Sequence, residues 1–306
     1  MKKSVVLCFM LLLMLLNAGY VTEGAGYGLL LWYNSVVPAL FPFMVLSDLI
    51  TASGGVSVIM APVHFLLGRI LPISADGCYV LVSGLLCGYP MGAKTCAEFV
   101  RDGRISLQEG KFLMAVCNHP SPMFILGYVY PFFSAEIGAA ELLAAVYGPV
   151  ILLAFLAKAV YTADGTGKGE GPKVHPPEAL KGMSIDQAIL SSAGILIKIG
   201  GYLMLFSILI VFLRHMNALP VLPRLVLIGA MEMTTGIREL AVSLPFPVSG
   251  AAAAAALTFG GFSGLFQTKA VLGTDNEKNA GLSIRQYFFW KLLHAALSAG
   301  TFLLAA

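Results

Sequence analysis

Apolar segments alternate with short stretches of glycine, proline or charged residues along the whole 306-residue chain. A helix that crosses a membrane needs about 20 apolar residues, and many of these segments approach that length. They cover residues 4–21, 29–50, 56–71, 78–92, 111–133, 141–160, 185–212, 240–259 and 287–304, whereas the segment 221–230 is too short to cross alone. The pattern predicts an all-α polytopic membrane protein in which several helices are broken.

The same pattern divides the chain into four parts. Residues 1–27 are a first transmembrane helix with a flexible glycine junction, 28–161 a first membrane half, 162–184 a linker, and 185–306 a second membrane half. Lys2 and Lys3 lie at the N-terminus, and further lysines, Lys168, Lys173 and Lys181, lie in the linker. Because positively charged loops stay on the cytoplasmic side, we expect the N-terminus and the linker to be cytoplasmic. A cleaved signal peptide is the alternative for the first apolar run, although residues 17–19 are a poor cleavage site.

The segment at residues 83–94 begins as an apolar helix and is then interrupted. Gly84, Gly88 and Gly92 recur at a spacing of four, which on a helix leaves bare backbone that another helix can approach closely. Pro90 lacks an N–H group and disfavours helix at the residue before it. In lipid such a break persists only where protein or a water-lined cavity satisfies the freed backbone groups. The break therefore indicates a substrate site, and a tight helix crossing is the plainer alternative.

The two membrane halves resemble each other in the order of their features. In each half a glycine-broken segment leads to a lysine, then to a polar patch, and then to a serine that opens a helix. These are Lys94 and Ser106 in the first half, and Lys269 and Ser283 in the second. An odd number of predicted crossings, five, separates the starting points at residues 29 and 185, so the second copy is inverted. We expect an inverted repeat with broken, re-entrant-like helices, whose breaks mark the central site of a transporter.

The composition supports a membrane protein and gives no sign of an enzyme. Hydrophobic residues make up 58% of the chain and charged residues 11%, against roughly a quarter charged in a soluble domain. The net charge of +3 is small and no basic run indicates nucleic acid. The five cysteines are scattered, without the spacing of a metal or redox site. Zinc-protease and serine-hydrolase motifs are missing, so we expect neither catalysis nor a cofactor or metal.

Polar residues beside the breaks are the candidates for solute binding. Asn34 and Ser35 precede two prolines that would free main-chain carbonyls, with a plain helix kink as the alternative. Asn118, His119 and Ser121 lie beside two further prolines in an apolar segment, where polar groups are costly unless paired or hydrated. A structural hydrogen-bond cluster is the alternative there. The candidates are Asn34, Ser35, Gly88, Tyr89, Pro90, Gly92, Lys94, Asn118, His119, Ser121, Ser263, Gln267 and Lys269.

A second group of residues is a candidate for coupling to an ion or a proton. Glu232 follows a short apolar segment, and an ionisable residue near the membrane interior indicates function. Thr234 and Thr235 add hydroxyl groups beside it, and His119 is suited to relaying a proton. The alternative for Glu232 is an interfacial ion pair with Arg238.

Four motifs carry a resemblance to a known family over nearly the whole chain. They are residues 34–43 (NSVVPALFPF), 88–94 (GYPMGAK), 118–122 (NHPSP) and 232–236 (EMTTG). In this order they resemble the YlbJ-type sporulation integral membrane proteins, part of the wider group with a nucleoside-recognition, or Gate, domain. The resemblance implies a multi-pass protein related to concentrative nucleoside transporters. It also implies a sporulation role, since such members are associated with moving dipicolinate into the developing spore.

Together these observations predict a permease of the cell membrane that carries a small anionic solute such as dipicolinate. A nucleoside transporter-like Gate protein is one alternative, and a non-transporting sporulation scaffold that docks partners through its linker is another. The expected partners are the solute, the lipid bilayer, and either a second copy or other membrane proteins. In this hypothesis Lys94 attracts the anion, so Lys94→Gln abolishes transport while Lys94→Arg retains part of it.

Overall fold

Helices joined by short turns form the whole of the described chain, which in this computed structural model comprises residues 2–162, 183–216, 218–273 and 280–306. The helices of the first half are α1 (Lys2–Leu16), α2 (Ala18–Ala52), α3 (Val56–Leu67), α4 (Ala75–Cys87), α5 (Met91–Arg101), α6 (Leu107–Val116), α7 (Pro122–Phe132) and α8 (Ala139–Thr162). Those of the second half are α9 (Ile185–His215), α10 (Val221–Met231), α11 (Met233–Ser243), α12 (Val248–Phe259), α13 (Gly261–Leu272) and α14 (Ile284–Ala305).

The prediction of an all-α polytopic membrane protein is confirmed. Within the described ranges, five helical segments are long and apolar enough to cross a membrane, and α12 and α13 together count as one of them. Large apolar side chains such as Val58, Leu190 and Val242 are exposed on the outside. Polar and charged side chains such as Lys94 and Glu232 are buried inside. This arrangement suits a lipid environment, where the exterior is apolar and polar groups must find partners within the protein.

Long helices from both halves pack against each other and frame the interior. α9 lies along α2, and α14 lies against α8 and α12. The division of the chain into four parts and the inverted repeat stay predictions. Residues 163–182 of the expected cytoplasmic linker lie outside the described residues.

One expectation about α2 is wrong. The flexible junction expected around residues 24–28 is helical, and a single helix continues through Pro38 and Pro42, with one π-helical stretch at Trp32–Val36. The physical reason is close packing: a Cβ on Gly28 would lie 2.6 Å from the Cα of Met204 in α9. These glycines allow α2 and α9 to pack closely, and they do not interrupt the helix.

This crossing gives a prediction with a control on the same helix. Gly28→Ala should lower the free energy of unfolding by about 1–3 kcal/mol, because the added methyl group forces α2 and α9 apart. A Cβ on Gly26 would meet nothing within 4 Å, and alanine is the better helix former. Gly26→Ala should therefore leave the thermal stability of the purified protein in detergent unchanged or slightly higher. Equal melting temperatures for the two variants would contradict the close crossing.

Four breaks interrupt apolar helices in the interior of the protein. Non-helical backbone separates α4 from α5 at Gly88–Pro90, and it separates α6 from α7 at 117–121. Single residues, Glu232 and Gly260, separate α10 from α11 and α12 from α13. The expected helix over 111–133 is thus two helices, because its Pro120 and Pro122 cannot continue the hydrogen-bond pattern.

Candidate functional site

The four breaks line one central cavity of about 80 Å³, to which both membrane halves contribute. Ser35 of α2 faces the cavity, which explains why a polar residue lies in that apolar helix. The lining also includes the predicted residues Gly88, Tyr89, Ser121, Ser263, Gln267, Glu232 and Thr234. The sequence-predicted breaks therefore come together in space.

The breaks at Tyr89 and Gly260 contact each other directly. The Tyr89 hydroxyl donates a hydrogen bond of 2.8 Å to the main-chain oxygen of Thr258. A Cβ on Gly260 would lie 3.2 Å from the Tyr89 ring, and Gly260 has the positive φ of 79° that glycine adopts readily. Gly88, Tyr89 and Pro90 are non-helical as expected, but the helices resume at Met91 and at Gly261. The two breaks are adjacent, and the second one is shorter than expected.

Glu232 has both of its carboxylate oxygens occupied by the backbone. Its oxygens accept hydrogen bonds of 2.9 Å and 2.8 Å from the N–H groups of Thr234 and Thr235. Its side chain caps the N-terminus of α11, where the helix dipole also favours a negative charge, and the residue is only 2% exposed. The alternative pair with Arg238 is wrong, because Arg238 is exposed and, among the described residues, forms no salt bridge with Glu232. Glu232 thus lines the cavity, and its two hydrogen bonds to the backbone fix the position of its carboxylate.

Asn118 ties three helices together behind the cavity. Its side-chain amide donates to the hydroxyl of Thr268 at 3.2 Å and to that of Tyr287 at 2.8 Å. Its side-chain oxygen accepts from the N–H of Ala93 at 3.4 Å. These bonds join α5, α13 and α14, which favours the structural alternative for this residue. Ser121 caps α7 by accepting from the N–H of Phe124 at 3.2 Å while it also lines the cavity.

His119 lies with His294 in a buried pair next to Asn118. The two rings meet edge to face with centroids 4.9 Å apart. Each ring uses Nε2 to contact a main-chain oxygen, of Val116 at 2.7 Å and of Val146 at 2.8 Å. The Nδ1 atom of each ring has no hydrogen-bond partner in the described part of the chain. His119 does not line the central cavity, and it belongs with His294 to a buried polar cluster behind that cavity.

Lys94 is paired, which corrects the expectation of a free cation beside the break. Its Nζ lies 2.5 Å from an oxygen of Asp48 and 3.1 Å from an oxygen of Glu98. Lys94 is 2% exposed and does not line the central cavity. It lies instead beside a second cavity of about 230 Å³, whose lining includes Asp48, Glu98 and Arg101. With two carboxylates around one lysine, this region is no longer positive.

The other sequence candidates lie away from the central cavity lining. Asn34 and Lys269 are exposed, so neither reaches the interior. Gly92 serves packing, since its Cβ would lie 3.1 Å from the Cα of Gly84, and both glycines press against the Cys117 carbonyl. Pro90 is the N-cap residue that precedes α5, and Thr235 lines a third cavity.

Sequence reasoning missed Asp48 and Lys291, which lie within apolar helices and are buried. Ionisable residues inside membrane segments are rare and functional by default, and this signal was available for both. His294 has no polar neighbour in the sequence that marks it, although in the fold its ring contacts that of His119. Tyr287 carried no signal, because a tyrosine at a helix start resembles an interfacial anchor.

The chain is similar to a known sporulation protein. The sporulation integral membrane protein YlbJ of Bacillus subtilis (strain 168) is 27% identical over 203 residues, which is 61% of this chain and 50% of the relative. The chain thus spans about half the length of the curated relative it matches. No family model and no solved structure matches. The similarity confirms the YlbJ-type resemblance, while the Gate-domain relationship stays a prediction.

Proposed function

We propose, taking the relationship to a sporulation integral membrane protein as the premise, that this chain is a sporulation-associated permease for a small anionic solute. The proposal places it in the cell membrane with the N-terminus on the cytoplasmic side. It assigns the chain no catalytic activity and no cofactor. The solute class follows from the resemblance and from the charges described below.

The convergence of four helix breaks on one cavity is the observation that carries the proposal. Broken helices expose main-chain groups that membrane proteins tolerate only in buried or water-filled places. Here the breaks at Gly88–Pro90 and Gly260 come from different halves of the chain and touch at Tyr89. A plain structural role needs no cavity at this point. A transporter needs both a site and helices whose ends can shift around it.

Charges next to the central cavity support an anionic solute. A third cavity, of about 140 Å³, shares Leu31 and Thr234 with the central cavity and is lined by Arg214 and Arg238. Arg214 pairs with Glu239 at 2.5 Å, but its Nε atom has no partner among the described residues. Arg238 is exposed. Arginine side chains hold carboxylates through paired hydrogen bonds, so this cavity suits a carboxylate on its way to the centre.

Purified protein in proteoliposomes tests the proposal directly. We expect uptake of radiolabelled dipicolinate above that of protein-free vesicles, because the arginine-lined cavity adjoins the central cavity. Uridine and adenosine, measured in parallel, should not accumulate or compete. Saturable nucleoside uptake without dipicolinate uptake would contradict the anionic solute and favour the Gate-type alternative. Uptake of neither class by inserted, monodisperse protein would contradict transport and favour the scaffold alternative.

A further inference from the structure

Lys291 is a buried lysine one side chain behind the central cavity. It lies in α14 and is 1% exposed. Its Nζ donates a hydrogen bond of 2.9 Å to the main-chain oxygen of Asn118, an oxygen that the break between α6 and α7 leaves free. The same Nζ lies 4.8 Å from the ring centroid of Tyr89, whose ring lines the cavity. Tyr89 thus separates the Lys291 amine from the cavity.

No carboxylate balances this lysine within the described ranges of the chain. The groups that face it are neutral or basic: Tyr89, Cys117 and His119 from the two breaks, and Tyr287 and His294 from its own helix. α12 contains no titratable residue, and the single lysine of α13, Lys269, is exposed. On α8, Tyr147 binds the oxygen of Pro120 with its hydroxyl. An ammonium group in such a place lacks the partner that a buried charge requires.

We propose that Lys291 is the proton carrier that couples the passage of the anion to the movement of one proton. This proposal rests on the proposed function, since it requires an anion in the central cavity. With the cavity empty, Lys291 is buried without a counter-ion, and such an environment favours the neutral amine over the charged form. When an anion enters beside Tyr89, its charge favours the ammonium form, so Nζ takes a proton from water on the side of entry. The proton leaves to water on the other side together with the anion.

Coupling of this kind is reciprocal, because each ligand raises the affinity for the other by the same factor. Lys94 is unsuited to the role, since Asp48 and Glu98 already balance its charge. Glu232 is unsuited as well, since two backbone N–H groups hold its carboxylate. Lys291 alone among these residues combines a buried amine, a missing counter-ion and a neighbour in the cavity wall.

Two substitutions separate charge from proton exchange at this position. Lys291→Met removes the amine, and Lys291→Arg keeps a charge that cannot be lost in a protein. Lys269→Met, at the exposed lysine of α13, is the matched control. All proteins are reconstituted in proteoliposomes, and radiolabelled dipicolinate is followed in two ways. One assay measures accumulation driven by an inward proton gradient, and the other measures exchange against internal dipicolinate without a gradient.

For the wild-type protein and for Lys269→Met, we expect the apparent affinity for dipicolinate to rise as external pH falls, by up to about tenfold per pH unit for one coupled proton. Lys291→Arg should lose gradient-driven accumulation by at least about tenfold while exchange persists, because the fixed charge still favours the anion. Lys291→Met should lose the pH dependence and bind dipicolinate more weakly at all pH values.

Three results would overturn the assignment. Wild-type uptake that ignores the proton gradient would refute proton coupling and leave the transport proposal standing. Lys291→Arg with wild-type accumulation would show that no proton leaves this residue. Lys291→Met with the full pH dependence would place the proton carrier elsewhere. If the wild-type protein transports no dipicolinate in either assay, it is the proposed function that fails.

Discussion

Replacing Lys94 with glutamine should lower the free energy of unfolding by about 3–5 kcal/mol, because it leaves Asp48 buried without its counter-ion. Asp48 is buried, and its Oδ2 atom already has no hydrogen-bond partner in the described part of the chain. Glu98 adds a second negative charge beside it, 3.1 Å from Lys94. Thermal unfolding of the purified protein in detergent measures the loss. Lys269→Gln removes an exposed lysine and should leave the melting temperature unchanged.

The double variant Asp48→Asn/Lys94→Gln distinguishes an ion pair from a solute-binding lysine. Removing both charges avoids the isolated buried carboxylate, so most of the lost stability should return. If Lys94 acts only through Asp48, the double variant also regains transport. A stable double variant that transports nothing would contradict this account and restore the sequence-based view of Lys94 as an anion ligand. A single variant as stable as the wild-type protein would contradict the ion pair itself.

The sequence predicted helix starts correctly where the capping hydrogen bond joins residues that are close together in the chain. Ser106 and Ser283 were expected to open helices, and each accepts a hydrogen bond from the N–H three residues later. The role of a glycine was hard to predict, because glycines occur both in flexible turns and at close helix crossings. Gly24 and Gly28 belong to the second kind, which only the position of α9 reveals.

The sequence predicted which helix breaks form the candidate site, but it did not predict how the charged side chains pair. Breaks at glycine and proline are local features, and the residues beside them, such as Tyr89 and Ser263, do line the cavity. Whether a charge is free depends on a partner far away in sequence. Asp48 reaches Lys94 from 46 residues away, and Asn118 meets Lys291 across 173 residues. No spacing rule along the chain contains that information.

Filling the central cavity should abolish transport without unfolding the protein. Gly264 lines the cavity on α13, and a Cβ at this position would meet nothing within 4 Å. Its backbone is helical and has no positive φ, so leucine adds no backbone strain, and we expect its side chain to extend into the space that the solute requires. Gly194 of α9 is also helical and exposed, and a Cβ there likewise meets nothing within 4 Å. Gly194→Leu is therefore the matched control.

Dipicolinate uptake by Gly264→Leu, compared with Gly194→Leu in the same vesicles, tests most directly whether the meeting point of the four breaks is the solute path. Both variants should unfold at about the wild-type temperature, since neither side chain meets a neighbour at its Cβ. We expect background uptake for Gly264→Leu and wild-type uptake for Gly194→Leu. Wild-type uptake by a correctly folded Gly264→Leu protein would show that the solute passes elsewhere.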